Sequence, residues 1–214
     1  RFQVVDLPGC YSMTARSLDE EVAHRELVGL YETETCDAVV VVIDASNLAR
    51  NLYLALQIME YKRPMIVALN MVDVAESEGH RVNVKTLEKM LGVPVVPIAA
   101  HSGAGTKQLL ERIDTLQNTD IPTPIPFLSS ADQAVVDRVY QALKEGGENA
   151  SIGRALWLLT SNETQLRNVP DSLLETVTKE RQALESQAQS NPTHSFSFRQ
   201  RAIVTRYTPI DRIV

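Results

Sequence analysis

Cysteine is almost absent from this sequence: Cys10 and Cys36 are the two in 214 residues. Neither belongs to a Cys-x-x-Cys pair or sits near a histidine cluster. That excludes a disulfide framework and a structural zinc site, and it fits a reducing compartment. Aromatic residues make up 5%, which leaves the core to Val, Leu, Ile and Ala. No apolar run approaches the ~20 residues that cross a bilayer, and no signal peptide is visible. Positive charge is in deficit as well. Lys and Arg number 21 against 27 Asp and Glu, a net charge of −6. A general nucleic-acid binder needs a basic face, so nucleic acid is not an expected partner. Small anions stay open, because local backbone dipoles rather than net charge hold them.

At 44% hydrophobic and 22% charged, the chain reads as an ordinary soluble globular protein. Its length suits one large domain or two small ones and buries roughly 70% of the unfolded surface. Two regimes follow along the chain. Residues 1 to about 120 alternate apolar runs with amphipathic stretches. Phe2–Val5, Ala38–Ile43, Met65–Leu69 and Val93–Ile98 are predicted strands, apolar on both faces as a helix-covered parallel sheet requires. Leu18–Tyr31, Asn51–Tyr61, Val84–Leu91 and Thr106–Leu116 carry apolar residues at helical spacing. The alternation predicts βαβ units in a doubly wound α/β sheet. Pro122, Pro124 and Pro126 mark a linker. Beyond it, residues 121–214 read as a small all-α domain, with helices over Ala131–Glu145, Ile152–Leu159, Ser172–Ala188 and Phe198–Val214.

In open parallel sheets, ligands gather at the carboxyl ends of strands. Three such ends carry polar residues. Asp6-Leu7-Pro8-Gly9 follows the first run. A carboxylate there can hold Mg²⁺ through a water, and Gly9 allows a γ-phosphate close to the backbone; a purely structural turn is the other reading. Asn70-Met71-Val72-Asp73 follows the third run and resembles the guanine-recognition motif Asn-Lys-x-Asp. An Asp in that place accepts from the guanine N1–H and amine, and adenine would leave it unpaired, which rejects the wrong base by as much as ~10⁴-fold. Met71 stands where the usual Lys stem covers the base, and can serve the same apolar purpose. Asp73 could instead be a helix N-cap. Ala99-Ala100-His101 follows the fourth run, where such domains offer a backbone N–H to the guanine O6; a plain strand-to-helix connection is equally compatible. The three in this order point to a GTP-binding G domain.

Longer stretches resemble one family. Val5-Asp6-Leu7-Pro8-Gly9-Cys10-Tyr11-Ser12, Ser17-Leu18-Asp19-Glu20-Glu21 and the run from Asp44-Ala45-Ser46-Asn47-Leu48-Ala49-Arg50-Asn51 through Asn70-Met71-Val72-Asp73 are similar to the cytoplasmic part of the bacterial ferrous iron transporter B (FeoB) family. The resemblance implies a Ras-like G domain followed by a helical regulatory domain. It implies GTP/GDP binding with Mg²⁺ and slow hydrolysis coupled to Fe²⁺ uptake, on the cytoplasmic face of the bacterial inner membrane. It implies the transmembrane part of the same transporter as a partner, and leaves K⁺, small Feo accessory proteins and homo-oligomer formation as further candidates. Leu18–Tyr31 and the loop before it would be the switch that senses the γ-phosphate.

Two departures stand out. No Gly-x-x-x-x-Gly-Lys-Ser/Thr occurs in the sequence. The family places that loop on a first strand and helix before the position of Arg1, so the first strands of the G domain are expected to be absent from this chain and the sheet to have a gap beside Ala38–Asp44. Position 10 is Cys, where Ras-like enzymes place a water-orienting Gln, and no residue reads as a catalytic base. His24 and His101 are expected at the surface, and Cys36 as a small buried hydrophobe. Arg199, Arg201, Arg206 and Arg212 face one acid, Asp211, and read either as a juxtamembrane cluster or as a solvated helix face. The rival functions are another GTPase of the superfamily and an interaction module with a vestigial nucleotide site.

Overall fold

A computed structural model describes residues 3–13, 18–28, 36–116, 120–190 and 196–214. Three strands form a parallel sheet in the order β1 (Val39–Asp44), β2 (Met65–Asn70), β3 (Val95–Pro97). Val39 pairs with Met65 and Asp44 with Asn70, while Val67 pairs with Val95. The central strand Met-Ile-Val-Ala-Leu-Asn is buried on both faces up to Asn70, as its unbroken apolar run demands.

The connections are helices α1 (Leu18–Val28), α2 (Leu48–Met59), α3 (Val72–Ser77), α4 (Val84–Leu91) and α5 (Thr106–Asp114). Their ends have local causes. The Asn83 side chain accepts from the Thr86 N–H at 3.1 Å and opens α4, and Gly92 closes it with φ at 68°. On one face of the sheet, Ile66, Ala68, Val96 and Ile98 pack with Leu109 and Ile113 of α5. On the other, Val41, Ile43, Val67, Leu69 and Val95 join the main core with α2 and α4.

Two strand expectations are corrected. Residues 3–5 form no strand, and Phe2 lies outside the described residues. Among the described residues the outer edge of β1 has no partner, and an extended segment cannot join a sheet without one. For the same reason β1 is apolar on both faces but buried on one: α5 covers β2 and β3 only, leaving Val40 at 38% and Val42 at 58% exposure.

The second half holds α6 (Ser130–Glu145), α7 (Ile152–Thr160), α8 (Asp171–Ser190), α9 (Phe198–Thr205) and α10 (Tyr207–Ile213). Serine hydroxyls start three of them: Ser129 accepts from the Asp132 N–H, Ser151 from Arg154, and Ser197 forms a capping box with Gln200. Val135, Val139, Leu158, Val177 and Leu184 centre a separate apolar core. The expected single helix Phe198–Val214 is two. Pro209 has no N–H for the Thr205 carbonyl, so the first helix ends there.

The last helix turns back. Phe198 belongs to the helical core, whereas Ile210 is buried in the sheet-side core against α2. The joint is also sealed by Gly153, whose N–H donates to the Glu60 carbonyl at 3.0 Å and whose missing Cβ would meet the Tyr61 ring at 2.5–2.8 Å. No helix among the described residues is long and apolar enough to cross a membrane.

Candidate guanine-nucleotide site

Parallel pairing brings the carboxyl ends of β2 and β3 side by side. The Leu69 carbonyl accepts from the Ile98 N–H at 2.8 Å. Immediately beyond, the Asn70 side-chain oxygen accepts from the Ala100 N–H at 3.0 Å. Asn70 thus ties the second candidate motif to the third, 30 residues later in the chain.

Met71 takes a left-handed conformation, φ 61° and ψ 30°. A non-glycine residue there is strained by about 1 kcal/mol or more. The turn lets α3 start at Val72 and puts Asp73 in its first turn. Asp73 is not the N-cap, because Met71 holds that position and caps with no side chain. The Asp73 carboxylate is instead half-exposed, 3.6 Å from the His101 Nε2. Met71 presents an exposed thioether beside it in sequence.

The loop after β3 is shaped by a bridge. The Ala99 N–H donates to the Ala104 carbonyl at 2.9 Å, and Ser102 donates back to the Ala99 carbonyl at 3.1 Å. Gly105 has φ +77°, and a Cβ there would sit 2.2 Å from the Pro97 carbonyl oxygen. Only glycine fits that approach, a constraint that a plain Gly-Ala-Gly reading of the sequence misses. Ala99 is buried; Ala100 and His101 are exposed.

Asp6, Leu7, Pro8 and Gly9 are exposed and belong to no helix or strand. No hydrogen bond or ion pair among the described residues joins them to Asn70, Asp73 or Ala100. Nor does any group of three His, Cys, Asp or Glu among the described residues form a metal cage. One free carboxylate suits a hard cation that keeps most of its waters and takes phosphate oxygens for the rest. Asp6 fits Mg²⁺ in that manner.

Of α1, expected as Leu18–Tyr31, residues 29–31 lie outside the described residues, as does part of the preceding loop. The expectation of a surface His24 is overturned. His24 is 1% exposed, stacked on Trp157 with centroids 4.5 Å apart and edge-on to Tyr61 at 5.7 Å. The rings supply the burial that a histidine between Ala23 and Arg25 does not suggest. Burial, then repulsion from Arg154 and Arg25, holds its pKa down at about 3, so the imidazole is neutral. The preceding segment is fixed by the Met13 N–H, which donates to the Gln57 Oε1 at 2.8 Å. Cys36 is half-buried against the main core, and burial raises its pKa.

Two of the four C-terminal arginines, Arg201 and Arg206, are not part of a free cationic face. Arg201 forks onto Asp132 at 2.5 and 3.1 Å, and Arg206 is buried on Glu60. Both acids lie far upstream, so a local charge count misses them.

Comparison with known proteins bears on this arrangement. A model of the family described as "Ferrous iron transport protein B" matches residues 1–113. The Fe(2+) transporter FeoB of Legionella pneumophila (strain Lens) is 34% identical over 152 residues, covering 69% of this chain and 20% of that protein. The chain therefore spans about a fifth of the length of the curated relatives it matches. Among solved structures, a point mutant of S. thermophilus NFeoB bound to GDP superposes with a TM-score of 0.80 at 26% identity, over 97% of this chain and 78% of that one. NFeoB from S. thermophilus bound to GDP·AlF₄⁻ and K⁺ gives 0.78 at 26%, over 97% and 79%. The sheet and the helical part are those of a Ras-like G domain with its helical extension, and the chain belongs to the ferrous iron transport protein B family.

Proposed function

We propose that the chain binds guanine nucleotides and hydrolyses GTP slowly, as a cytoplasmic domain that regulates Fe²⁺ uptake across a bacterial inner membrane. The Asn70–Ala100 hydrogen bond carries the reading. It holds a carboxylate, an apolar side chain and an exposed loop backbone at the ends of adjacent parallel strands, the place where nucleotides bind in such sheets. Asp73 accepts from the guanine N1–H and exocyclic amine, Met71 covers one face of the base, and the loop Ala99-Ala100-His101 lies at the O6, where the His101 N–H is the donor because those of Ala99 and Ala100 are given to Ala104 and Asn70. Adenine offers an acceptor where Asp73 also accepts, so the site rejects it.

Asp6 would hold Mg²⁺ through water, with Gly9 giving a γ-phosphate access to the backbone and Leu7-Pro8 shaping the turn. Bound Mg²⁺ supplies charge neutralisation at the phosphates. The NFeoB structures that hold GDP, or GDP·AlF₄⁻ and K⁺, support nucleotide and K⁺ as ligands here. Met13, bonded to Gln57 of α2, and His24 of α1, stacked on Trp157 of α7, support a path from nucleotide to helical domain. The domain boundary near residue 120 and the transmembrane part of the same transporter as partner belong to this proposal.

Titration calorimetry of the full-length protein with GDP and ADP tests it. GDP binding without ADP binding, abolished by Asp73→Ala, is the expected result. A full-length protein that binds neither nucleotide would leave a non-catalytic interaction module as the better account.

A further inference from the structure

The carboxylate assigned to guanine has an imidazole beside it. His101 Nε2 lies 3.6 Å from the Asp73 Oδ2, with the imidazole 73% and the carboxylate 42% exposed. Both groups are in the open, and neither is needed by the fold: Asp73 caps no helix, and the loop carrying His101 is held by its backbone. The contact crosses from the loop after β3 to α3, the same gap that the Asn70–Ala100 bond spans. It therefore sits over the edge that a guanine would use. Among the described residues, Asp73 is the one acid within ion-pair reach of His101. Lys107, in the first turn of α5, is turned to Glu111 at 3.8 Å.

We propose that His101 is an affinity-setting residue of the guanine site, a side chain that competes with the base for Asp73. The inference rests on the guanine reading above. The guanine N1–H and amine need both Asp73 oxygens, so nucleotide entry requires the imidazole to swing away. The competition is strongest when the imidazole carries a proton, because the cation then pairs with the carboxylate. Lower pH therefore weakens guanine binding, and higher pH frees the carboxylate. An exposed pair of this kind shifts affinity by about two- to fivefold.

The test is GDP titration of full-length wild type, His101→Ala and His101→Arg at pH 6 and pH 8. Titration of the nucleotide's own phosphate is common to all three and cancels in the ratios. His101→Ala is expected to bind GDP two- to fivefold more tightly than wild type at pH 6, with the gap closing at pH 8. His101→Arg, a permanent cation, should stay at the weak level at both. Equal affinities across the three proteins, or weaker binding by His101→Ala, would overturn the competition while leaving the guanine site intact. No GDP binding by any of them overturns both readings together.

Discussion

The Arg206 guanidinium forks onto the Glu60 carboxylate, Nε to Oε1 at 2.9 Å and Nη2 to Oε2 at 3.1 Å, with both side chains 5% exposed. A third donor, Nη1, reaches the Tyr53 hydroxyl at 3.1 Å, and the guanidinium lies 4.4 Å from the Phe127 ring centroid. Burial alone pushes the Glu60 carboxyl upward, and the arginine opposes it. The pair is 146 residues apart in sequence and joins the end of α2 to the α9–α10 junction.

Arg206→Ala leaves a buried carboxylate without its cation. The expected loss is about 3–5 kcal/mol, whereas Arg206→Met with Glu60→Leu should cost far less. Urea unfolding of the single and double variants checks this. A double variant as unstable as the single would mean that packing, and not the unpaired charge, sets the cost.

His24 makes stability depend on pH in a stated direction. Its folded pKa, about 3, lies below the unfolded value of 6.5. Its neutral stack is fully present above pH 6.5 and is lost as pH falls, because the unfolded chain takes up the proton first. The contribution lost by pH 5 is about 2 kcal/mol, from ~1.4 kcal/mol per pH unit. Denaturant midpoints from pH 7 to pH 5 should therefore fall more steeply for wild type than for His24→Phe. Parallel slopes would count against a buried neutral imidazole.

Gly153→Ala drives a methyl into the Tyr61 ring, where 2.5–2.8 Å is available. Overpacking of this kind costs about 1–3 kcal/mol. The loss should fall on the contact between α7 and the end of α2, so hydrogen exchange at the Gly153 N–H, which donates to Glu60, should accelerate more than exchange in β2. Uniform acceleration would show that no local seam exists.

Asn70→Ala removes the tie between the loops after β2 and β3. The bond is exposed, so stability should change by less than about 1 kcal/mol. GDP affinity should fall about tenfold or more, because the guanine edge loses its fixed geometry. Calorimetry with a parallel melting curve separates the two effects. Unchanged affinity would remove Asn70 from the site.

What the sequence discloses is what is encoded locally. The run Met65–Leu69 could be read as a buried strand from composition, and the helical spacing of Val84–Leu91 matches the bounds of α4. Asn70 and Asp73 stood out because their spacing is itself the motif. Long-range partners were hidden. Nothing near His24 announces Trp157, nothing near Arg206 announces Glu60, and Gly105 shows its need only when Pro97 is placed against it. The strand expected at Phe2–Val5 failed in residues 3–5 because an apolar run specifies extension but not a neighbour to pair with. The half-open face of β1 has the same origin: Val40 and Val42 are apolar, but the helix that would cover them must come from elsewhere in the chain.

The return of α10 onto α2 fixes how the molecule bears a mechanical load. A pull applied at Val214 is taken up first by Ile210 in the sheet-side core and by the Arg206–Glu60 fork, before it reaches α6, α7 or α8. The carboxyl end is therefore leashed to the sheet-side core, beside the seam where α7 meets the end of α2. Twisting or lifting that end would strain α2 directly, and α2 follows the strand whose last residue, Asp44, lies in register with Asn70.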